Sequence, residues 1–195
     1  MVTVNERERR IFHLFANLLT YPLANLADSA LACEALLAED YPEAAACLRE
    51  LRQSVVDSPL CRLQEIYTIT FDLDAVCHPY VGHHLFGESY KRSAFMLALT
   101  ERYQKVGLDS GSEVADHLAV LLRFLSLCQD QGEIEVIARD ALVPALRQMV
   151  KEKNEVETEG EKLVAGKIKR PRIYQAVLEA LLHMLQSLPE GVRRP

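Results

Sequence analysis

Hydrophobic residues recur along this chain at intervals of three and four, the spacing that gathers a stripe on one face of a helix. Nowhere do they alternate with the period of two expected of a half-buried strand. Ile11, Leu14/Phe15 and Leu18/Leu19 form the first stripe. Thr3-x-x-Glu6 reads as the capping box that opens it and Tyr21-Pro22 as its end, because proline disfavours helical geometry in the residue before it. Leu26, Ala30, Cys33 and Leu37 mark one face of a second helix. A third opens at Asp40-x-x-Glu43 with Pro42 in its first turn and directs Ala44, Leu48, Leu51 and Val55 inward. Ser58-Pro59 repeats the start signal for a fourth, which carries Leu63, Ile66/Tyr67 and Thr70/Phe71.

Periodicity collapses from Asp72 to Gly87, which predicts the longest early loop. A fifth helix, about Glu88 to Val106, presents Met96, Leu99 and Tyr103 and stops at Gly107, the residue type that best tolerates the left-handed position after a helix. Ser110-x-x-Glu113 predicts the start of a sixth, whose stripe of Val114, Leu118, Leu121/Leu122, Leu125 and Cys128 is the most regular in the sequence. A seventh runs from about Glu133 through Ile134, Ile137 and Ala141, with Pro144 set to kink or split it. Asn154 to Arg170 is polar and mixed in charge, a loop or frayed helix before a last helix on which Ile173, Val177, Leu181, Met184 and Leu188 face inward. The expected architecture is all-α: a single-domain bundle of about eight helices over residues 1–195, without internal repeats.

Composition narrows the partners. A chain of 195 residues, 49% hydrophobic and 26% charged, can bury one sizeable core and is not a disordered tail. A net charge of −6 without a basic stripe gives no reason to approach nucleic acid and favours a cationic partner. Cysteines at 33, 47, 61, 77 and 128 form no C-x-x-C pair, which argues against a disulfide framework or a zinc ribbon and for small buried side chains in a reducing cytosol. No apolar run approaches the roughly 18 to 20 residues that span a bilayer, so stable membrane insertion is not expected. Arg9-Arg10 before Ile11-Phe12 resembles a twin-arginine export signal, but His13 and Asn17 interrupt the apolar segment and its periodicity is helical. An amphipathic first helix and a cytoplasmic location follow.

Two constellations carry candidate chemistry. Cys77, His78, His83 and His84 are metal-ligand types, and with Asp116 and His117 they define an alternative function, a metal-dependent helical hydrolase using His78, His83, His84, Asp116 and His117. Adjacent ligands point apart, however, and the usual spacing of two to four residues between paired ligands is missing. Neither a G-x-S-x-G elbow nor a glycine-rich phosphate loop is present to support covalent or phosphoryl chemistry. The second constellation is Glu113-x-x-Asp116-His117, expected in the first turns of the sixth helix. There carboxylates favour the helix dipole, His117 serves equally as a cap, and structural and binding roles remain balanced.

Taken in order, Tyr67-x-x-x-Phe71-Asp72, His84-x-x-Gly87-Glu88-Ser89, Tyr103-x-x-x-Gly107-Leu108 and Glu113-x-x-Asp116-His117-Leu118 resemble the TorD/DmsD/NarJ assembly chaperones of molybdoenzymes, and the Gly-Glu-Ser and Asp-His-Leu pieces resemble the nitrate reductase delta-subunit branch. Val114-Ala115 stands where that pattern often carries a proline, and the client reductase stays open. The resemblance implies a TorD-like helical chaperone and no enzyme. It would bind the N-terminal leader, or leader remnant, of the catalytic subunit of a molybdopterin oxidoreductase until the cofactor is inserted. Proteins that deliver the molybdenum cofactor are further partners on this reading, and no resident cofactor or metal is expected. Twin-arginine leaders join a cationic patch to an apolar helix, so the candidate contacts are the carboxylates Glu88, Glu113 and Asp116, the apolar Tyr80, Leu85 and Phe86, and the polar His84 and His117.

Overall fold

A computed structural model describes residues 4–73, 77–151 and 173–188, and within them the backbone is helical apart from turns and one isolated bridge. The helices are α1 (Glu6–Leu18), α2 (Leu26–Asp40), α3 (Pro42–Asp57), α4 (Leu60–Thr68), α5 (Val81–Phe86), α6 (Tyr90–Lys105), α7 (Leu118–Leu127), α8 (Gln131–Val136) and α9 (Ile173–Ser187). A π-helical turn, Ile69–Leu73, extends α4; a second, Ile137–Leu142, carries α8 on into helical residues 143–151.

The local signals work with small displacements. The first capping box is Asn5 with Glu8 rather than Thr3 with Glu6: Asn5 accepts from the N–H groups of Arg7 and Glu8, and Glu8 Oε2 accepts from the Asn5 N–H at 2.7 Å. Thr3 itself lies outside the described residues. α3 starts at Pro42 with Tyr41 at its cap and no side-chain cap bond, so Asp40 does not do the work its spacing suggested. A π turn precedes Pro144, where the sequence predicts a kink or break: proline has no N–H to give and crowds the carbonyl four residues back, and a widened turn accommodates it while the helix continues to residue 151. Asn154 to Arg170 lies outside the described residues.

α7 is the centre. Leu118, Ala119, Val120, Leu121, Leu122, Phe124 and Leu125 are all buried, so the helix is covered nearly all round. α1 packs along it and also meets α2, α2 packs on α3, and α3 packs on α9. An aromatic cluster joins α4 to α9: Tyr67 and Phe71 lie 5.5 and 5.1 Å from the Tyr174 ring. The inward positions expected on the first four helices and on the last, from Ile11 to Phe71 and from Ile173 to Leu188, are buried. Cys33, Cys77 and Cys128 are buried as well, whereas Cys61 is exposed. Arg9, half of the twin-arginine look-alike, is buried on α1 and donates to the Cys128 carbonyl. Among the described residues no helix is long and apolar enough to cross a membrane.

Two expectations about the middle of the chain are overturned. The stretch from Asp72 to Gly87 is not a plain connection, because Val81–Phe86 forms α5, capped by Gly87 at φ 59° and ψ −157°. The sixth helix does not begin at Ser110-x-x-Glu113. Gly111 adopts φ +63°, outside right-handed helical geometry, residues 111–116 form turns, and α7 starts at Leu118. Val114, counted as part of the stripe, is therefore exposed.

Candidate functional site

The turn preceding α7 lies against the segment preceding α5. Tyr80 and His117 form the isolated antiparallel bridge: the Val81 N–H donates to the Asp116 carbonyl at 2.8 Å and the Leu118 N–H to the Pro79 carbonyl at 2.8 Å. A helix start leaves backbone N–H groups without partners inside the helix, and here the neighbouring segment and a side chain supply them. Pro79 takes the donor of Leu118, and His117 Nδ1 accepts from the Ala119 N–H at 3.2 Å. The bond fixes His117 with Nδ1 unprotonated. Burial, the largest influence, pushes the imidazole below its ordinary value of 6.5; Glu113, Asp116 and Asp72 pull it back up, and Arg123 adds to the depression. Tyr103 holds the turn from the other side, its hydroxyl donating to the Ala115 carbonyl at 2.7 Å.

Asp116 is 0% exposed. Its Oδ2 accepts from Arg92 Nε on α6 at 2.8 Å, while its Oδ1 meets no hydrogen-bond donor among the described residues. The same guanidinium donates through Nη1 to Glu88 Oε1 at 2.9 Å and lies with its carbon 5.5 Å from the centroid of the Tyr80 ring, within cation–π range. Glu88 is also 3.3 Å from His83 Nδ1. α5 closes over the pair because residue 82 is glycine: a Cβ there would stand 2.7 Å from Asp116 Oδ2, 3.1 Å from Arg92 Cγ and 3.2 Å from Phe95 Cδ1. Around Tyr80 the field is acidic. Its phenol is pushed up by burial first and then by Glu113, Asp72 and Asp116, with Arg92 acting in the opposite sense.

The structure thus brings together Tyr80, Glu88, Asp116 and His117. Glu113 is exposed in the turn, close enough for its charge to act on both Tyr80 and His117. Phe86 stands at the far end of α5, 37% exposed and edge-on to Phe95 at 5.6 Å. Of the three apolar candidates, Leu85 packs against the core, while Tyr80 and Phe86 stay partly exposed at the two ends of α5. His84 is buried, its Nε2 2.7 Å from the His78 carbonyl.

These engagements also bear on the metal alternative. Asp116 is committed to Arg92, His117 to its own helix and His84 to a carbonyl, and among the described residues no three His, Cys, Asp or Glu side chains gather as a ligand set.

Sequence reasoning missed Arg92, although Glu88 four residues before it is a readable helix pair. It missed also the outer face of α6, where Tyr90 and Leu97, 81% and 63% exposed, flank the exposed Ala94 at helical spacing.

The profile of the family described as nitrate reductase delta subunit matches residues 34–155, a span that contains the whole site. The chain belongs to the nitrate reductase delta subunit family. Members of this delta subunit family are maturation chaperones of molybdoenzymes rather than catalysts, which removes the hydrolase alternative. A crystal structure of a candidate redox enzyme maturation protein from Archaeoglobus fulgidus has the same helical fold, with a TM-score of 0.58 and 26% identity over 91% of this chain and 93% of that one. No curated protein matches the sequence.

Proposed function

We propose that this delta-family protein binds the N-terminal leader, or leader remnant, of the catalytic subunit of a molybdopterin oxidoreductase and holds it in the cytoplasm while the cofactor is inserted. The observation that carries the reading is the corner formed by α5, the start of α6 and the turn before α7. Exposed carboxylates on Glu88 and Glu113 lie around the partly exposed Tyr80 ring there, and the half-exposed Phe86 stands at the far end of α5. A leader presents arginines next to an apolar helix, and this corner offers carboxylates to the first and the Tyr80 and Phe86 rings to the second. Asp116 and His117 serve the surface from beneath, the first by holding Arg92 and the second by fixing the turn that carries Glu113.

Calorimetry with leader peptides and full-length catalytic subunits from the molybdenum reductases of the source organism tests the reading. One leader is expected to bind, more weakly as salt rises, because the charged contacts lie at the surface. Failure of every leader and every catalytic subunit to bind removes it.

A further inference from the structure

The surroundings of Arg92 have the composition of a receptor for an arginine side chain. A guanidinium is recognised by a carboxylate fork, a second carboxylate and an aromatic face, and Asp116, Glu88 and Tyr80 supply all three to one group. The fit is incomplete in one respect. Arg92 reaches Asp116 only through Nε, so one carboxylate oxygen is used and Oδ1, buried with the rest of the residue, meets no donor among the described residues. A guanidinium that entered end-on could meet both oxygens in the parallel two-bond arrangement that is the stronger geometry. Arg92 is tethered by the backbone of α6, whereas an incoming side chain is not.

We infer that Tyr80, Glu88 and Asp116 form a guanidinium site, and that Arg92 is its resident placeholder, displaced when an arginine of the client segment enters. The inference deepens the leader-binding proposal and rests on it for the identity of the incoming arginine. The site itself is a separate claim. Gly82 suits the exchange, since any side chain there would press on Asp116 and Arg92 together. Arg92 keeps the buried carboxylate paired while no client is present, and its departure hands the same carboxylate to the client. An arginine thereby becomes the selected residue, because the compact ammonium of lysine lacks the planar fork that reaches two oxygens at once.

Two measurements separate the site from its proposed use. In the first, thermal unfolding of Arg92→Ala is followed with ethylguanidinium chloride and, at matched ionic strength, ethylammonium chloride. Saturable stabilisation by ethylguanidinium alone is expected, absent in the parent and in Arg92→Ala/Asp116→Asn. Equal responses in all three proteins, or none in Arg92→Ala, overturn the site. If Arg92→Ala does not fold, Arg92→Gln takes its place and the same outcomes decide. In the second, a synthetic peptide with two adjacent arginines before an apolar helix, and its two-lysine counterpart, are titrated into parent and variant. The arginine peptide is expected to bind Arg92→Ala about tenfold more tightly than the parent, with a much smaller gain for the lysine peptide. If the parent binds the arginine peptide and the variant binds it no better, the placeholder role is wrong while leader binding stands. If ethylguanidinium fills the variant and neither protein binds either peptide, the site stands and leader binding falls.

Discussion

Arg92 Nε donates to Asp116 Oδ2 at 2.8 Å, joining α6 to the turn before α7 across 24 residues of sequence, and the two partners differ in exposure: the Arg92 side chain retains 17% of its accessible surface and Asp116 none. The consequence is an asymmetry. Arg92→Met strands a fully buried carboxylate and is expected to cost about 3 kcal/mol or more. Asp116→Asn leaves a guanidinium that still reaches Glu88 and water, and is expected to cost roughly 1–2 kcal/mol. Urea unfolding of both variants checks the order, and a larger loss in Asp116→Asn would show that the turn, not the pair, depends on Asp116.

Glycines 82 and 87 differ in what they contribute. At Gly82 the obstacle is space, since the nearest atom to an added Cβ is Asp116 Oδ2 at 2.7 Å. At Gly87 nothing lies within 4 Å and the obstacle is the backbone, at φ 59° and ψ −157°, a region nearly confined to glycine. Each alanine substitution is expected to cost about 1–3 kcal/mol. Only the first should shrink when combined with Asp116→Ala, because only there does Asp116 cause the clash. A double-mutant cycle on thermal stability reads the difference; equal coupling at both positions contradicts it.

What the sequence made legible depended on range. The stripes Ile11 to Leu19 and Leu26 to Leu37 are local periodicities, and each lies inward as its spacing requires. Ser110-x-x-Glu113 misled because the start of α7 is decided elsewhere: Pro79, far away in sequence, accepts the Leu118 N–H, and Gly111 adopts positive φ. Val81–Phe86 was hidden because a helix of six residues is too short to show a period. The Asp-His pair was recognised as important, but its partner in the buried pair, Arg92, comes from another helix, and no local rule couples residues so far apart.

His117 should make stability depend on pH in a predictable direction. Its pKa is lowered in the folded protein from 6.5, so between the folded value and 6.5 the unfolded chain binds more protons and stability rises with pH. The contribution is full above the unfolded value and is lost as pH falls through the interval below it. Protonation also removes the acceptor that caps α7, against the pull of Glu113, Asp116 and Asp72 toward the charged form and alongside the opposing charge of Arg123. His117→Asn keeps a capping oxygen without the titration. The parent is expected to lose more melting temperature than His117→Asn between about pH 7.5 and 5.5. Parallel curves would exclude His117 as the source.

Glu88 and Glu113 should matter to the client and little to the fold. Glu88 keeps 78% of its side-chain surface and Glu113 is exposed in a turn, so neither glutamine variant removes buried contacts, and changes at such positions usually fall within about 0.5 kcal/mol. Glu113 also lies outside α7, so the helix-dipole contribution its sequence position suggested does not arise. A carboxylate that pairs with a client arginine is a different matter, since a partly desolvated charge-assisted bond is worth roughly 1.5–3 kcal/mol, or about tenfold or more in affinity. Glu88→Gln and Glu113→Gln are therefore expected to weaken leader capture and reductase maturation, most clearly at low salt, with melting temperatures close to the parent's. Ser112→Ala is the control, changing the same turn without removing charge. If both glutamine variants bind the leader as well as Ser112→Ala does across the salt range, the acidic corner is not where the client's cationic residues dock.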